Sequence, residues 1–473
     1  MKKYFTRYNV ALLVLLLVSI SMGVYYLVYL YPKDQPNELF VEAESLETQQ
    51  KYNEALVKYS ESINKNPQYT DSYIKAANIL LIKNQDQEAI DLLKKGIGFA
   101  KNQSIIHQKI ASIYALQPNY EEAVSWILKA REFDDGISQK RDHLSYLFLK
   151  DPVNAQENIS LIDGSSDYAK YLQAIAYADD IEKATEHANS FKNNQEPKYQ
   201  ALFQAIENAR NTEDNDIEDL MNVAKVAIEN GEGPIAIRLL DKVIELNAYY
   251  EGSYIYKGYV YLEFNDNEKA INYLETAKNQ KRNEEGMALL AMAYLRNNNL
   301  EKAKEVSNQL LTLNPQKDTT RWTLYEVFWA LEEYTKASDQ LENIVADQEE
   351  YRYVYAKGDL LLRQEKYKEA QEYLESLIKK ANLNQKQKGD LIALESWANF
   401  NLGDKAKAKE ALLDAETLYP TNAFVKLYLG LIAEQLNNPE EALNYYNMAL
   451  ELDYDGIVTI QARLGIDNLT KSE

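Results

Sequence analysis

The apolar positions of this chain fall into phrases about 34 residues long, and one small residue marks each phrase. Ala55, Ala89 and Ala123 are 34 apart. Ala236, Ala270, Ala303, Ala337, Ala370, Ala408 and Ala442 follow at steps of 34, 33, 34, 33, 38 and 34. Each sits in a short polar-flanked tetrad such as NEAL, QEAI, EEAV, EKAI, KEAQ or EEAL. Twelve residues earlier a second small position recurs as Ala43, Ala77, Ala111, Ala224, Gly258, Ala291, Gly358 and Gly430. Two small side chains at that separation suit paired helices that cross closely, where bulk forces the helices apart. The period is that of helix–turn–helix units that stack on their neighbours, so the chain is predicted to be an all-α solenoid.

Further positions sharpen the pattern. Twelve residues after the alanine, Pro67, Pro315 and Pro420 close one hairpin and start the next, because proline cannot continue a helix. An aromatic recurs nine before it (Tyr114, Tyr261, Tyr294, Phe328), and a tyrosine three before it (Tyr52, Tyr120, Tyr334, Tyr367). With these residues the chain resembles the tetratricopeptide repeat family. The resemblance implies a right-handed α–α superhelix that binds protein partners and has no active site. Tyr325 and Ser396 depart from it, standing where a small residue belongs.

Between Ala123 and Ala236 the matches weaken. DHLSYLFL with PVNAQENISLI reads as one hairpin and DYAKYLQAIAYA with IEKATEHANSF as a second. EPKYQALFQAIENAR reads as a lone helix opened by Pro197, and NTEDNDIED as a turn-rich acidic flexure. The expected organisation is an array of about three repeats over 38–135, degenerate repeats and flexure over 136–212, and about seven repeats over 213–454. A capping helix and tail over 455–473 close it.

Val10–Tyr31 is a run of 22 residues without a charge, about 33 Å as a helix against a bilayer core of about 30 Å. Tyrosines flank both ends, as interfacial aromatics do. The expectation is a transmembrane helix over 9–31, after a short tail (1–8) and before a linker (32–37). A cleaved signal peptide is the competing reading; the length of the run favours the anchor. Lys2, Lys3 and Arg7 precede the run, and Lys33, Asp34 and Glu38 follow it without net positive charge. The positive-inside rule then predicts a single-pass membrane protein with its repeats extracytoplasmic, periplasmic or at the cell surface in a bacterium.

Charge and chemistry add mainly exclusions. A net charge of −21 disfavours nucleic acid as a partner, and 46% hydrophobic residues place the chain outside the disordered class. The absence of cysteine removes disulfides, thiol catalysis and zinc–cysteine sites. His107, His143 and His187 lie in different repeats, and no phosphate-cradling glycine loop is present. No cofactor, metal or catalytic residue is expected. Some members of the family grip a C-terminal carboxylate with lysines and asparagines. The matching positions here include Phe40, Glu44, Ile74, Asn78 and Lys109, and the acidic Glu44 opposes that clamp.

The function implied is a membrane-tethered interaction scaffold or chaperone-like adaptor in envelope assembly or secretion. A structural or oligomeric assembly component is the alternative, and an accessory subunit of a membrane enzyme the weaker one. In the family, the first helix of each unit lines the concave face. That register carries over onto Ile255, Tyr259 and Leu262; Ala288, Met292 and Leu295; Trp322, Glu326 and Trp329; Tyr355, Asp359 and Leu362; Ala393, Trp397 and Phe400. Three of the four tryptophans fall in this stripe. The partner-binding candidates are Tyr259, Met292, Trp322, Glu326, Trp329, Tyr355, Asp359, Trp397 and Phe400. They suit an apolar peptide with a basic residue near Glu326 or Asp359. The competing reading is that Tyr325 marks a register slip that buries Trp322 and Trp329 between helices.

Overall fold

The computed structural model describes residues 36–48, 51–83, 85–211, 217–345, 350–379, 383–452, 462, 465–466 and 469. Among them all regular structure is helical. Two compact units form: 1–109 with 420–473, and 110–419. In chain order the helices are α1 (Glu38–Thr48), α2 (Tyr52–Lys65), α3 (Thr70–Ile82), α4 (Asp86–Gly96), α5 (Gln103–Leu116), α6 (Tyr120–Phe133) and α7 (Ile137–Lys150). A short α8 (Pro152–Ala155) and a 3-10 turn (Gln156–Leu161) precede α9 (Asp167–Ala176), α10 (Ile181–Phe191), α11 (Pro197–Asn211), α12 (Ile217–Glu229) and α13 (Gly233–Leu246). The long regular stretch is α14 (Glu251–Glu263), α15 (Asn267–Gln280), α16 (Glu284–Arg296), α17 (Leu300–Leu313), α18 (Asp318–Ala330), α19 (Tyr334–Glu342), α20 (Tyr351–Arg363), α21 (Tyr367–Ile378), α22 (Gln385–Asn401) and α23 (Lys405–Leu418). α24 (Ala423–Gln435) and α25 (Pro439–Leu452) belong to the first unit, where α25 also touches α2.

The alanine period is a packing period. Ala55, Ala89, Ala123, Ala236, Ala270, Ala303, Ala337, Ala370, Ala408 and Ala442 are all fully buried. The earlier small position is just as tight: a Cβ on Gly258 would lie 2.5 Å from Leu274 Cγ, and one on Gly430 2.7 Å from the Tyr446 ring. Ser396 is buried at this position and Tyr325 nearly so. The competing reading, a register slip at Tyr325, is not what the helices show, since α14, α16, α18 and α20 are each 13 residues long and start at 251, 284, 318 and 351.

The turn inside each hairpin is also periodic. Gly231, Asn265, Asn298, Glu332, Glu365, Gly403 and Asn437 all have positive φ, and each lies five residues before its alanine. The next backbone N–H then reaches back into the first helix, as in Asp266 to Tyr261, Asn299 to Tyr294, Glu333 to Phe328 and Lys366 to Leu361, all at 2.8–2.9 Å. This is the six-to-one bond of a helix ended by a left-handed residue, which satisfies carbonyls that the helix leaves open. Asn and Gly tolerate that conformation; Glu332 and Glu365 hold it at some steric cost.

The segment from α7 to α13 is built differently. Leu144 and Phe148 of α7, Tyr171, Leu172 and Ile175 of α9, Phe191, Leu202 and Met221, and Leu239, Leu240 and Val243 of α13 share one buried cluster. α7 packs directly on α13 across the intervening helices. Arg238 of α13 donates to the Ala176 carbonyl at 2.7 Å and pairs with Asp179, which pins the α9–α10 turn. Lys269 of α15 donates to the Leu149 carbonyl at 2.7 Å and lies 4.7 Å from the Tyr120 ring.

The transmembrane helix expected over 9–31 falls outside the described residues, as does most of the capping segment 455–473. Among the described residues no helix is long and apolar enough to cross a membrane. The longest in the regular stretch, α22, has 17 residues and carries Lys386, Lys388, Asp390 and Glu395. At about 1.5 Å per residue it falls short of a bilayer core. The expected single-pass membrane location with extracytoplasmic repeats is corrected on this finding: what the structure describes is a helical solenoid.

Candidate functional site

The stripe lies on α14, α16, α18, α20 and α22, the first helices of five successive hairpins. On α18, residues at steps of four and three share a face, so Trp322, Glu326 and Trp329 form one row. The neighbouring helix contributes Arg352, Tyr355, Asp359 and Arg363 at matching steps.

Trp322 is half-buried against the cluster of Leu324, Tyr325 and Phe328, meeting Tyr325 edge-on at 5.6 Å between ring centroids. The Arg352 guanidinium lies 4.0 Å above its ring and donates from Nη2 to Glu326 Oε1 at 2.8 Å. Trp329 is 38% exposed. Its Nε1 donates to Asp359 Oδ2 at 2.8 Å, while Arg363, 5.6 Å from the Trp329 ring centroid, holds Asp359 Oδ1 at 3.4 Å. Trp397 is half-buried and stacks on Phe400 at 5.7 Å with only 6° between the rings. Tyr355 lies 5.9 Å from Tyr351, whose hydroxyl donates to the buried Asp390 at 2.6 Å. Tyr259 and Met292 are half-buried at the beginning of the stripe.

The row therefore divides by depth. Ile255, Leu262, Asp359, Leu362, Ala393 and Phe400 are buried and act as supports. Trp329 is exposed, and Trp322, Glu326, Tyr355, Trp397, Tyr259, Met292, Ala288 and Leu295 are half-buried. Burial pushes the Glu326 carboxyl above its ordinary value, with Arg352 and then Arg296 pulling it back. Both carboxylates expected to receive a basic residue from a partner already carry an arginine of this chain. Arg352 and Arg363 were not singled out from the sequence. The Asp359–Arg363 pair is a readable four-residue step on one helix. The Arg352–Glu326 pair joins residues 26 apart and needs two helices placed side by side.

Two clefts adjoin the end of the row, along α19. One of about 740 Å³ is lined by Glu332, Glu333, Lys336, Asp339 and Arg363. The other, about 450 Å³, is lined by Leu341, Lys357, Leu361 and Tyr373. The first is lined mainly by charged side chains, and the second mixes leucines and a tyrosine with charged groups. Among the described residues no three His, Cys, Asp or Glu side chains gather to hold a metal ion. His143 is buried with Arg131 Nη1 donating to its Nδ1 at 2.7 Å; burial, then the Arg131 charge, push it down to about 4, so it is a neutral packing group. His187 stacks on Tyr177 at 5.6 Å.

Family models described as tetratricopeptide repeat match residues 325–384 and 394–456, and 252–284 and 285–317. These stretches are tetratricopeptide repeats. They contain Tyr259, Met292, Glu326, Trp329, Tyr355, Asp359, Trp397 and Phe400, while Trp322 lies between two of them. A TPR repeat-containing protein of Methanocaldococcus jannaschii is 22% identical over 400 residues, covering 81% of this chain and 68% of that protein. A tetratricopeptide repeat protein from Parabacteroides merdae is 18% identical, covering 53% of this chain and 98% of that one, with a TM-score of 0.42. The APC/C hetero-tetramer Cut9–Hcn1 is also similar, at 13% identity and a TM-score of 0.37, covering 93% of this chain and 97% of that one.

Proposed function

We infer that the protein is a protein–protein interaction scaffold, of adaptor or chaperone-like type, that takes its partner on the tetratricopeptide-repeat face formed by α14 to α22. The observation that carries this reading is the tryptophan row. Trp329 remains 38% exposed although its indole N–H is bonded and its ring lies beside an arginine. An indole held in one orientation and still uncovered is the kind of group that dominates protein interfaces, since its contact area is gained at little conformational cost.

The test uses Trp329→Ala with Trp397→Ala in the full chain, after copurification has identified a stoichiometric partner. Both are chosen over Trp322, whose ring also packs on the Leu324 cluster. As binding anchors they cost at least about 2 kcal/mol of partner affinity each while the melting transition stays in place. A packing role instead predicts about 3–5 kcal/mol of lost stability for each truncation. Early melting, or normal melting with undiminished capture, rejects the reading.

A further inference from the structure

Two junctions of the array carry the same pair of charges in the same register, and only one of them is closed. Asp241 stands five residues after Ala236 and Lys257 thirteen before Ala270. Glu342 likewise stands five after Ala337, and Lys357 thirteen before Ala370. No other two consecutive repeat alanines have an acid and a lysine at these places. At the first junction α13 runs 14 residues, with Asp241 well inside it. Lys257, its side chain 3% exposed, pairs with Asp241 and lies 4.4 Å from the Tyr273 ring centroid. At the second junction α19 runs only nine residues, and Glu342 is its last. Lys357 keeps the tyrosine, 5.0 Å from the Tyr373 ring centroid, but among the described residues it has no carboxylate within ion-pair distance. Where the pair would be lies the cleft of about 450 Å³, lined by Glu342, Lys357, Leu341 and Tyr373. Glu369 and Glu372 of α21 line it too, Glu372 at 4.0 Å from Lys368.

This cleft lies behind the tryptophan row. Lys357 is two residues from both Tyr355 and Asp359, which puts it on the opposite face of α20. On the front face α20 is tied to α18 by Arg352 to Glu326 and by Trp329 to Asp359, each at 2.8 Å. The side chains of Arg352 and Glu326 are 56% and 32% exposed, and exposed pairs of this kind contribute little each. A tilt of α20 that closes the cleft draws its front face off α18, because close-packed helices cannot tighten on both sides at once.

We propose that the α19–α20 junction is a two-position hinge that regulates the binding face, an inference that rests on the binding-face reading. In the structure the front is closed and the cleft is open. In the other position Glu342 pairs with Lys357 as Asp241 does with Lys257. The Arg352–Glu326 and Trp329–Asp359 contacts then part, and both indoles are uncovered. A partner that takes the indoles binds this second position better and so shifts the protein into it.

The hinge is driven from the cleft and read at the indoles, on the other face of α20. Trp126→Phe with Trp397→Phe leaves Trp322 and Trp329 as the only tryptophans of the chain. In that background Glu342→His with Lys357→His gives zinc a two-point clamp that forms only when the cleft closes. Zinc is expected to shift the tryptophan emission to the red and to raise its quenching by acrylamide, while each single histidine variant shows no shift. The native charges are tested in Arg352→Gln, which loosens the front. Adding Glu342→Lys lowers the quenching, and Lys357→Glu on top of it restores the quenching. No zinc bound by the double-histidine variant, or zinc bound without change at the indoles, overturns the proposal. So does failure of the charge exchange to rescue, as it would fail if Glu369 or Glu372 were the partner of Lys357. No binding partner enters these measurements, so undiminished capture by Trp329→Ala with Trp397→Ala rejects the binding face and leaves the hinge standing.

Discussion

The repeats from α14 to α23 and the segment from α7 to α13 contain the same kind of helices yet are held together by different logic. In the former, each hairpin is stabilised by small residues that let two helices approach, as at Gly258 and Ala270, and the contacts pass from one helix to the next. In the latter, Phe148, Tyr171, Phe191, Leu202 and Leu240 converge on one centre, and α7 meets α13 directly. The difference explains where the period is strong. A stacked array imposes the same constraint on every unit, so the same residue type returns; a shared core constrains total volume and allows any apolar residue that fits. The regular array thereby leaves part of the first-helix row, Trp329 above all, exposed.

The largest effect that separates the two is cooperativity. Phe148→Ala is expected to cost about 3–5 kcal/mol, with hydrogen-exchange protection falling across α7, α9, α10 and α13 together. Leu290→Ala, at an equally buried site on α16, is expected to cost about 2–5 kcal/mol, with protection lost mainly in α14 to α18. Equal spreading in both variants erases the distinction.

A smaller effect distinguishes packing from backbone demands within the repeats. Gly258→Val is expected to destabilise by about 1–3 kcal/mol, since its Cβ meets Leu274 at 2.5 Å. Gly231→Ala meets no atom within 4 Å and is expected to cost about 1 kcal/mol, from the positive φ alone. Urea titrations of the two variants rank them; the reverse order would place the constraint at the turn and not at the helix crossing.

The smallest effect is a pH dependence confined to the shared core. Glu232 is buried, accepts from the Tyr168 hydroxyl at 2.8 Å, and faces Arg141, Asp142 and Lys198. Burial raises its carboxyl above the ordinary value, more than Arg141 and Tyr168 lower it. A carboxyl with a raised folded-state value binds its proton more tightly folded than unfolded. Its contribution therefore favours folding below that value and is lost as pH rises from the ordinary value through the raised one. Glu232→Gln keeps an acceptor for Tyr168, flattens this slope, and is expected to change stability at neutral pH by about 1 kcal/mol or less. An unchanged slope of stability against pH between acid and neutral would show that Glu232 binds its proton equally in the folded and unfolded states.

Much of this was legible in the order of residues alone. A period of 33–34 with an alanine and a second small residue twelve earlier specifies a hairpin of closely crossing helices, because bulk at the crossing is costly and the demand is local. Of the two hairpins read within 136–191, the second appears as α9 with α10, while the second arm of the first is only the short α8 and a 3-10 turn. The exposed side of the row followed from register: Trp322, Glu326 and Trp329 must share a face of any helix they occupy.

What the order of residues did not determine was depth and partnership. Phe400 and Asp359 share the row with Trp397 and Trp329 but lie buried, because depth depends on how far the adjoining helix covers the face. The arginine on Trp322 comes from a position 30 residues later, and Glu326 receives it from the same neighbour. The union of α7 with α13 joins segments almost a hundred residues apart with no shared motif. Local chemistry sets the helices and the spacing of small residues, since those act within one hairpin; which charge meets which ring is decided only when separate helices are brought side by side.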